Sequence, residues 1–220
     1  MPAVEQEHVR ELLRHRTRQL TVSMYMGPFF RDARYWLLSD QPPGHLDLLR
    51  DPKGERIHPG DAVGILPAGT EVRLIDVEFA TSRATTSRSL FTPRFFTWVH
   101  VAVPNQERPA VLVIRDEPED HESFLEVLAR YLTTENIAER LLDYPEDTRE
   151  AIARKQLTHG MGIEAVRMAW GHPLQVTVDY DEGVRVESWR FEGERSLTLR
   201  DGKLVSWTEP DNDRPFTDDA

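Results

Sequence analysis

At 220 residues, with 39% hydrophobic and 30% charged side chains, the chain is globular in composition and long enough for one large or two small domains with a real core. A formal net charge of −11 repels phosphate at long range and argues against nonspecific nucleic-acid binding by the molecule as a whole. The absence of cysteine excludes disulfides, thiolate zinc sites and a cysteine nucleophile in this chain.

Residues 3–19 carry Val4, Val9, Leu12, Leu13 and, just beyond, Leu20, an incomplete apolar stripe that predicts a helix. His8, Glu11 and His15 would then share a face suited to a metal ion, but Arg10, Arg14 and Arg16 beside them favour a solvated face instead. Thr21 to Leu38 is dense in large side chains and reads as a strand, a Gly27-Pro28 turn and a second apolar segment. From Leu46 onward the chain turns β-rich. Pro67-Ala68-Gly69-Thr70 is a turn delivering the chain into the alternating strand Glu71–Phe79. Val99, Val101 and Val103 alternate on one face of the next strand, and Val111-Leu112-Val113-Ile114 is a buried one.

These pieces resemble bacterial SH3-like domains. The resemblance rests on Leu66, Pro67, Gly69, Thr70, Val72, Leu74, Trp98, Val99 and Val101, over about residues 45–115. It implies a small β-barrel that binds peptides, cell-wall fragments or protein surfaces and is seldom catalytic.

Between the matching halves, Ala80 to Trp98 contains no acidic residue and carries Arg83, Arg88, Arg94, Phe91, Phe95 and Phe96. Arginine beside aromatics suits an acidic or aromatic protein partner, and the same pairing can clamp a nucleic-acid strand. The plainer alternative is a barrel loop whose phenylalanines fold back onto the core. These six residues are the candidate partner-binding set.

Asp116-Glu117-Pro118-Glu119-Asp120 leads into Phe124, Val127, Leu128 and Tyr131, whose spacing predicts an amphipathic helix with its acids at the positive end of the dipole. A second helical stretch covers Glu135 to Leu142. Pro145-Glu146-Asp147 opens another helix, with Ile152 and Leu157 on its apolar side and Gly160 as its stop. Ile163, Val166 and Trp170 place an apolar face on the next helix, closed by Gly171 before Pro173. Four strands follow. The parity of Val184 and Val186 opposes that of Trp189 and Phe191, which predicts a bulge near Glu187-Ser188.

Two short helices followed by an antiparallel meander resemble the outer-membrane assembly lipoproteins of the BamE-like (SmpA/OmlA) family, on Gly160, Met161, Glu164, Val166, Gly171 and Pro173. That resemblance implies a non-catalytic protein that binds other proteins in the bacterial envelope. The family's lipid-attachment cysteine has no counterpart here.

The expected architecture is α+β: an N-terminal helix and apolar segment (1–44), an SH3-like barrel (45–115), a helical connector (116–147), a BamE-like domain (148–208) and an acidic disordered tail (209–220). No catalytic, cofactor or metal-ligating set stands out. The usual Ser-elbow, phosphate-loop, dinucleotide and His-Glu-x-x-His motifs are missing. The expected function is a protein-interaction or scaffold role, in envelope assembly or in regulation. The alternatives are a hydrolase with a cleft between the modules, or a nucleic-acid binder through residues 80–98. Met1 to Leu20 is too polar for a signal peptide, so the chain reads as cytoplasmic unless a targeting segment has been removed.

Overall fold

A computed structural model describes residues 1–209; most of the expected acidic tail, from Pro210 on, lies outside them. The fold is α+β. The chain opens with α1 (Ala3–Leu13), β1 (Thr17–Leu20), β2 (Met24–Pro28) and β3 (Trp36–Ser39), and continues through β4 (Gly64–Leu66), β5 (Glu71–Glu78) and α2 (Ser82–Ser87). Then come β6 (Thr97–Ala102), β7 (Ala110–Ile114), α3 (His121–Ala129), β8 (Leu132–Thr133), α4 (Ile137–Leu141), α5 (Glu146–Ala153) and α6 (Ile163–Trp170). The C-terminal meander is β9 (Gln175–Asp181), β10 (Val184–Arg190), β11 (Ser196–Arg200) and β12 (Lys203–Thr208).

Strands β1 to β8 form one curled sheet in the order β4-β2-β3-β7-β6-β5-β1-β8, antiparallel except where β3 runs parallel to β7. Its ends, β4 and β8, do not pair with each other. Because β1, β2 and β3 lie within it, residues 1–44 supply strands to the same sheet as residues 45–115, and no structural seam falls at residue 44. The N-terminal helix is shorter than its stripe suggests. It stops at Leu13; His15 takes a positive φ of 60° and the chain re-enters as a strand at Thr17. His15 therefore leaves the helical face that His8 and Glu11 would need for a shared metal. Gly27 and Pro28 do not turn either: they pair with Leu37 and Trp36, and the reversal falls between Phe29 and Tyr35. A Cβ on Gly27 would press on the backbone of Asp61 and Ala62, so the glycine here serves close strand approach.

The sheet's alternation works as read. Val99, Val101, Leu74 and Val72 are almost fully buried and pack with Val9, Leu13 and Phe124 from α1 and α3. Asp120 caps α3 reciprocally with Ser123, which accounts for one acid of the 116–120 run by local helix chemistry.

In the C-terminal part, α5 and α6 cover one face of a four-stranded sheet ordered β12-β11-β10-β9. Helix α5 ends at Ala153, seven residues before Gly160, as Lys155 adopts a φ of 57°. Gly171 closes α6 as expected, with φ 88° and ψ −158°, a region open only to glycine. The bulge expected in β10 is absent. Its register with both neighbours is continuous, and the face shared by Trp189 carries Glu187, which is buried and accepts a 3.0 Å hydrogen bond from Trp189 Nε1. Val184 and Val186 simply point outward. The one irregularity of this sheet lies between β11 and β12, at Thr198/Leu199.

Candidate functional site

The segment between β5 and β6 is ordered by its own short helix. Thr81 caps α2 by accepting from the Ala84 amide at 3.2 Å, and the chain then wraps around Arg88. Arg88 is buried. Its Nε lies 3.1 Å from Glu78 Oε1, Nη2 donates to the Glu78 carbonyl at 2.6 Å, and Nη1 donates to the carbonyls of Arg94 and Phe96 at 2.9 and 2.7 Å. The guanidinium stacks 3.9 Å above the Trp98 ring. Every donor pair faces inward, so Arg88 shapes the segment and offers no charge to a partner. His100 and Arg88 together hold the Glu78 carboxyl below its ordinary range, despite the opposing effect of burial. Burial lowers Arg88 itself, with Glu78 opposing.

The other expected residues divide. Phe96 is half-buried and packs on the small core of Phe29, Leu37 and Trp98. Arg83 is exposed on α2, and Arg94 is partly exposed with its guanidinium 4.6 Å from the Phe95 ring. Phe95 is 66% exposed and Phe91 45% exposed, far more than a loop folded back on its core would allow. Leu90, 66% exposed, joins them, and Arg31 reaches 4.4 Å over the Phe91 ring. Sequence reasoning missed both. Leu90 is the one large aliphatic side chain of the segment, while Arg31 comes from a distant turn that only the sheet brings near. Beside Phe95, a cavity of about 270 Å³ opens between β7 and the start of α1, with Phe79, Ile114 and Gln6 among its walls.

A second opening, of about 420 Å³, lies between α3, α4 and α6. Val22, Ile137 and Met168 form its apolar walls; Arg130, Arg167, Glu126 and His172 stand around it. Arg140 bridges Glu135 and Glu164, each at 2.8 Å, so two of its carboxylates are already engaged. Burial lowers the pKa of His172, which favours the neutral imidazole. No hydroxyl nucleophile is paired to that imidazole among the described hydrogen bonds, and no group of three His, Cys, Asp or Glu side chains converges on a metal position among the described residues.

Between the sheets runs a buried polar seam. Lys155 Nζ donates to the carbonyls of Ser23 and Ala169, Ser23 Oγ donates to the Ile152 carbonyl at 2.6 Å, and Arg195 donates to Gln41 Oε1. Gly171 and Gly193, both at positive φ, abut Asp40 and His45 of the N-terminal part so closely that a Cβ on either would overlap those side chains. The two layers are thereby fastened largely by buried groups, Lys155, Ser23, Gln41 and Arg195 among them.

No helix among the described residues is long and apolar enough to cross a membrane. Comparisons with known protein families, with curated proteins and with solved structures found no match to this chain.

Proposed function

We propose that this chain is a non-catalytic binding protein that docks a protein partner through Leu90, Phe91 and Phe95, flanked by Arg31, Arg83 and Arg94. The observation that carries this reading is the exposure of three large apolar side chains on one short segment whose backbone is held by the buried Arg88. Aromatic and arginine side chains dominate interface energies, and a rigid backbone reduces the ordering cost of binding. The complementary partner is an acidic segment bearing an apolar anchor, attracted locally in spite of the overall charge of −11. Its setting, by the resemblance of the C-terminal part to BamE-like proteins, is envelope assembly or regulation.

The test is selection of displayed peptides on the immobilised chain, followed by affinity measurement of the selected sequences. Acidic peptides with a central apolar residue should be enriched, and Phe95→Ala with Leu90→Ala should weaken them at least about tenfold. Peptides that bind both forms equally would reject the surface. Binding to single-stranded nucleic acid that tracks Arg83 and Arg94 with a steep salt dependence would instead favour the nucleic-acid alternative.

A further inference from the structure

Of the two sheets' four edges, β9 is the longest, and among the described residues no backbone pairing covers any part of its outer side. Strands β4 and β8 have three and two residues. The outer side of β12 is taken at its start by the chain itself, leaving at most four residues free: Gly160 donates to the Leu204 carbonyl, Leu204 donates to that of Met161, and Gly162 bridges Lys203. Strand β9 has seven residues, all exposed, and carries neither proline nor lysine to block a second strand.

Its side chains are not those of a solvent strand. Val176, Val178 and Tyr180 lie opposite Trp189, Glu187 and Arg185, so they continue the face that carries the core. Helix α6 lies against β12, at the other side of the sheet, and leaves this row 42 to 68% exposed. The tight turn at Glu182-Gly183 pairs Asp181 with Val184. By alternation, the amides of Val176, Val178 and Tyr180 then point to the open edge.

We propose that β9 is the dimerisation strand of this protein, pairing antiparallel with β9 of a second copy about a two-fold axis at Val178. The strand is complementary to itself in that register. Val178 meets Val178, Val176 meets Tyr180, Thr177 meets Asp179 and Gln175 meets Asp181, so no two like charges stand directly opposite. The apolar row doubles in length, and the two sheets become one of eight strands. A one-residue slip would set apolar side chains beside polar ones on each face, a two-residue slip one way would oppose Asp179 to Asp179, and a two-residue slip the other way would pair only five of the seven residues, so the stated register is favoured. The interface is small, so the dimer is weak and concentration-dependent.

Because the chain has no cysteine, a single introduced thiol reports on the axis. Paired residues in an antiparallel ladder place their Cα atoms about 4.5–5.5 Å apart, within disulfide reach. Cys at Val178→Cys therefore meets its own copy, whereas at Tyr180→Cys the two thiols are four residues out of register, roughly 13 Å apart along the strand. Mild oxidation of the full chain should cross-link Val178→Cys into a dimer at least about tenfold faster than Tyr180→Cys. In sedimentation velocity the unmodified chain should shift from monomer toward dimer as it is concentrated to about 200 µM, and Val178→Lys, which sets two ammonium groups at the axis, should weaken this at least tenfold. A monomer across that range, association unchanged by Val178→Lys, or equal cross-linking of the two thiol variants would each overturn the proposal. The surface of Leu90 and Phe95 lies on another element and stands or falls separately.

Discussion

Lys155 Nζ donates a 2.6 Å hydrogen bond to the backbone carbonyl of Ser23, across 132 residues of sequence. A second bond, of 2.8 Å, reaches Ala169, and the Tyr25 ring lies 5.0 Å from the same nitrogen. The side chain is wholly buried, and it joins the link between β1 and β2 to α6, the helix that covers the C-terminal sheet. An ammonium so placed forfeits its hydration, and the two carbonyl acceptors return only part of that loss.

Burial pushes the Lys155 amine from 10.5 down to about 7; Asp40 opposes the shift and Arg195 adds to it. Between those values the unfolded chain holds a proton that the folded chain lacks, so this residue makes stability rise with pH. The penalty is complete below about 7 and gone above 10.5. Urea unfolding followed from pH 7 to 10 should show a slope approaching about 1.4 kcal/mol per pH unit in mid-window that Lys155→Met loses. His172, also lowered by burial, acts below 6.5 and stays outside this window. An unchanged slope in the variant would show that another group titrates there.

Gly171→Ala and Gly193→Ala should each destabilise the fold by about 2–4 kcal/mol, because both a positive φ and a collision with Asp40 or His45 must be relieved. Gly183→Ala shares the positive φ but meets nothing within 4 Å, and should cost only about 1 kcal/mol. Equal losses at all three sites, measured by chemical denaturation, would mean that the close approach between the layers contributes little.

Arg88→Ala should lower stability by about 3 kcal/mol, since Glu78 and three carbonyls lose a buried donor. Phe95→Ala, at an exposed position, should stay within about 0.5 kcal/mol of the parent while reducing peptide capture. The two variants thus separate the residue that builds the segment from the one that meets a partner. Thermal melts and binding run in parallel decide it.

Glu187→Ala leaves the buried Trp189 indole without its acceptor and should cost about 1–3 kcal/mol, whereas Glu187→Gln retains an oxygen and should cost less. Tryptophan-detected urea unfolding reads both.

Local rules were legible where a single face or a single turn decides the outcome. The alternation of Val99 and Val101, the spacing of Phe124, Val127 and Leu128, and the glycine end of α6 all appear as their patterns imply. Local rules failed where the partner was remote. Glu187 takes a core position because Trp189 supplies a donor and Arg185 a charge at 3.2 Å, so the expected bulge had no work to do. Gly27 and Pro28 resemble a turn in isolation, but β3 pairs with both and the backbone of Asp61 and Ala62 packs against Gly27, which holds them extended. Arg88 looked like a surface charge until Glu78 and Trp98 enclosed it.

Read alone, the chain determined its α+β class, most of its strand and helix centres, and the basic, aromatic character of residues 80–98, because periodicity and turn chemistry act over a few neighbours. The tertiary structure decided which of those arginines and phenylalanines face outward, that β1 to β3 join the sheet of the following segment, and that β9 is left open along its length while the start of β12 is covered. Exposure and edge status depend on contacts closed over a hundred or more residues, and no local pattern records them.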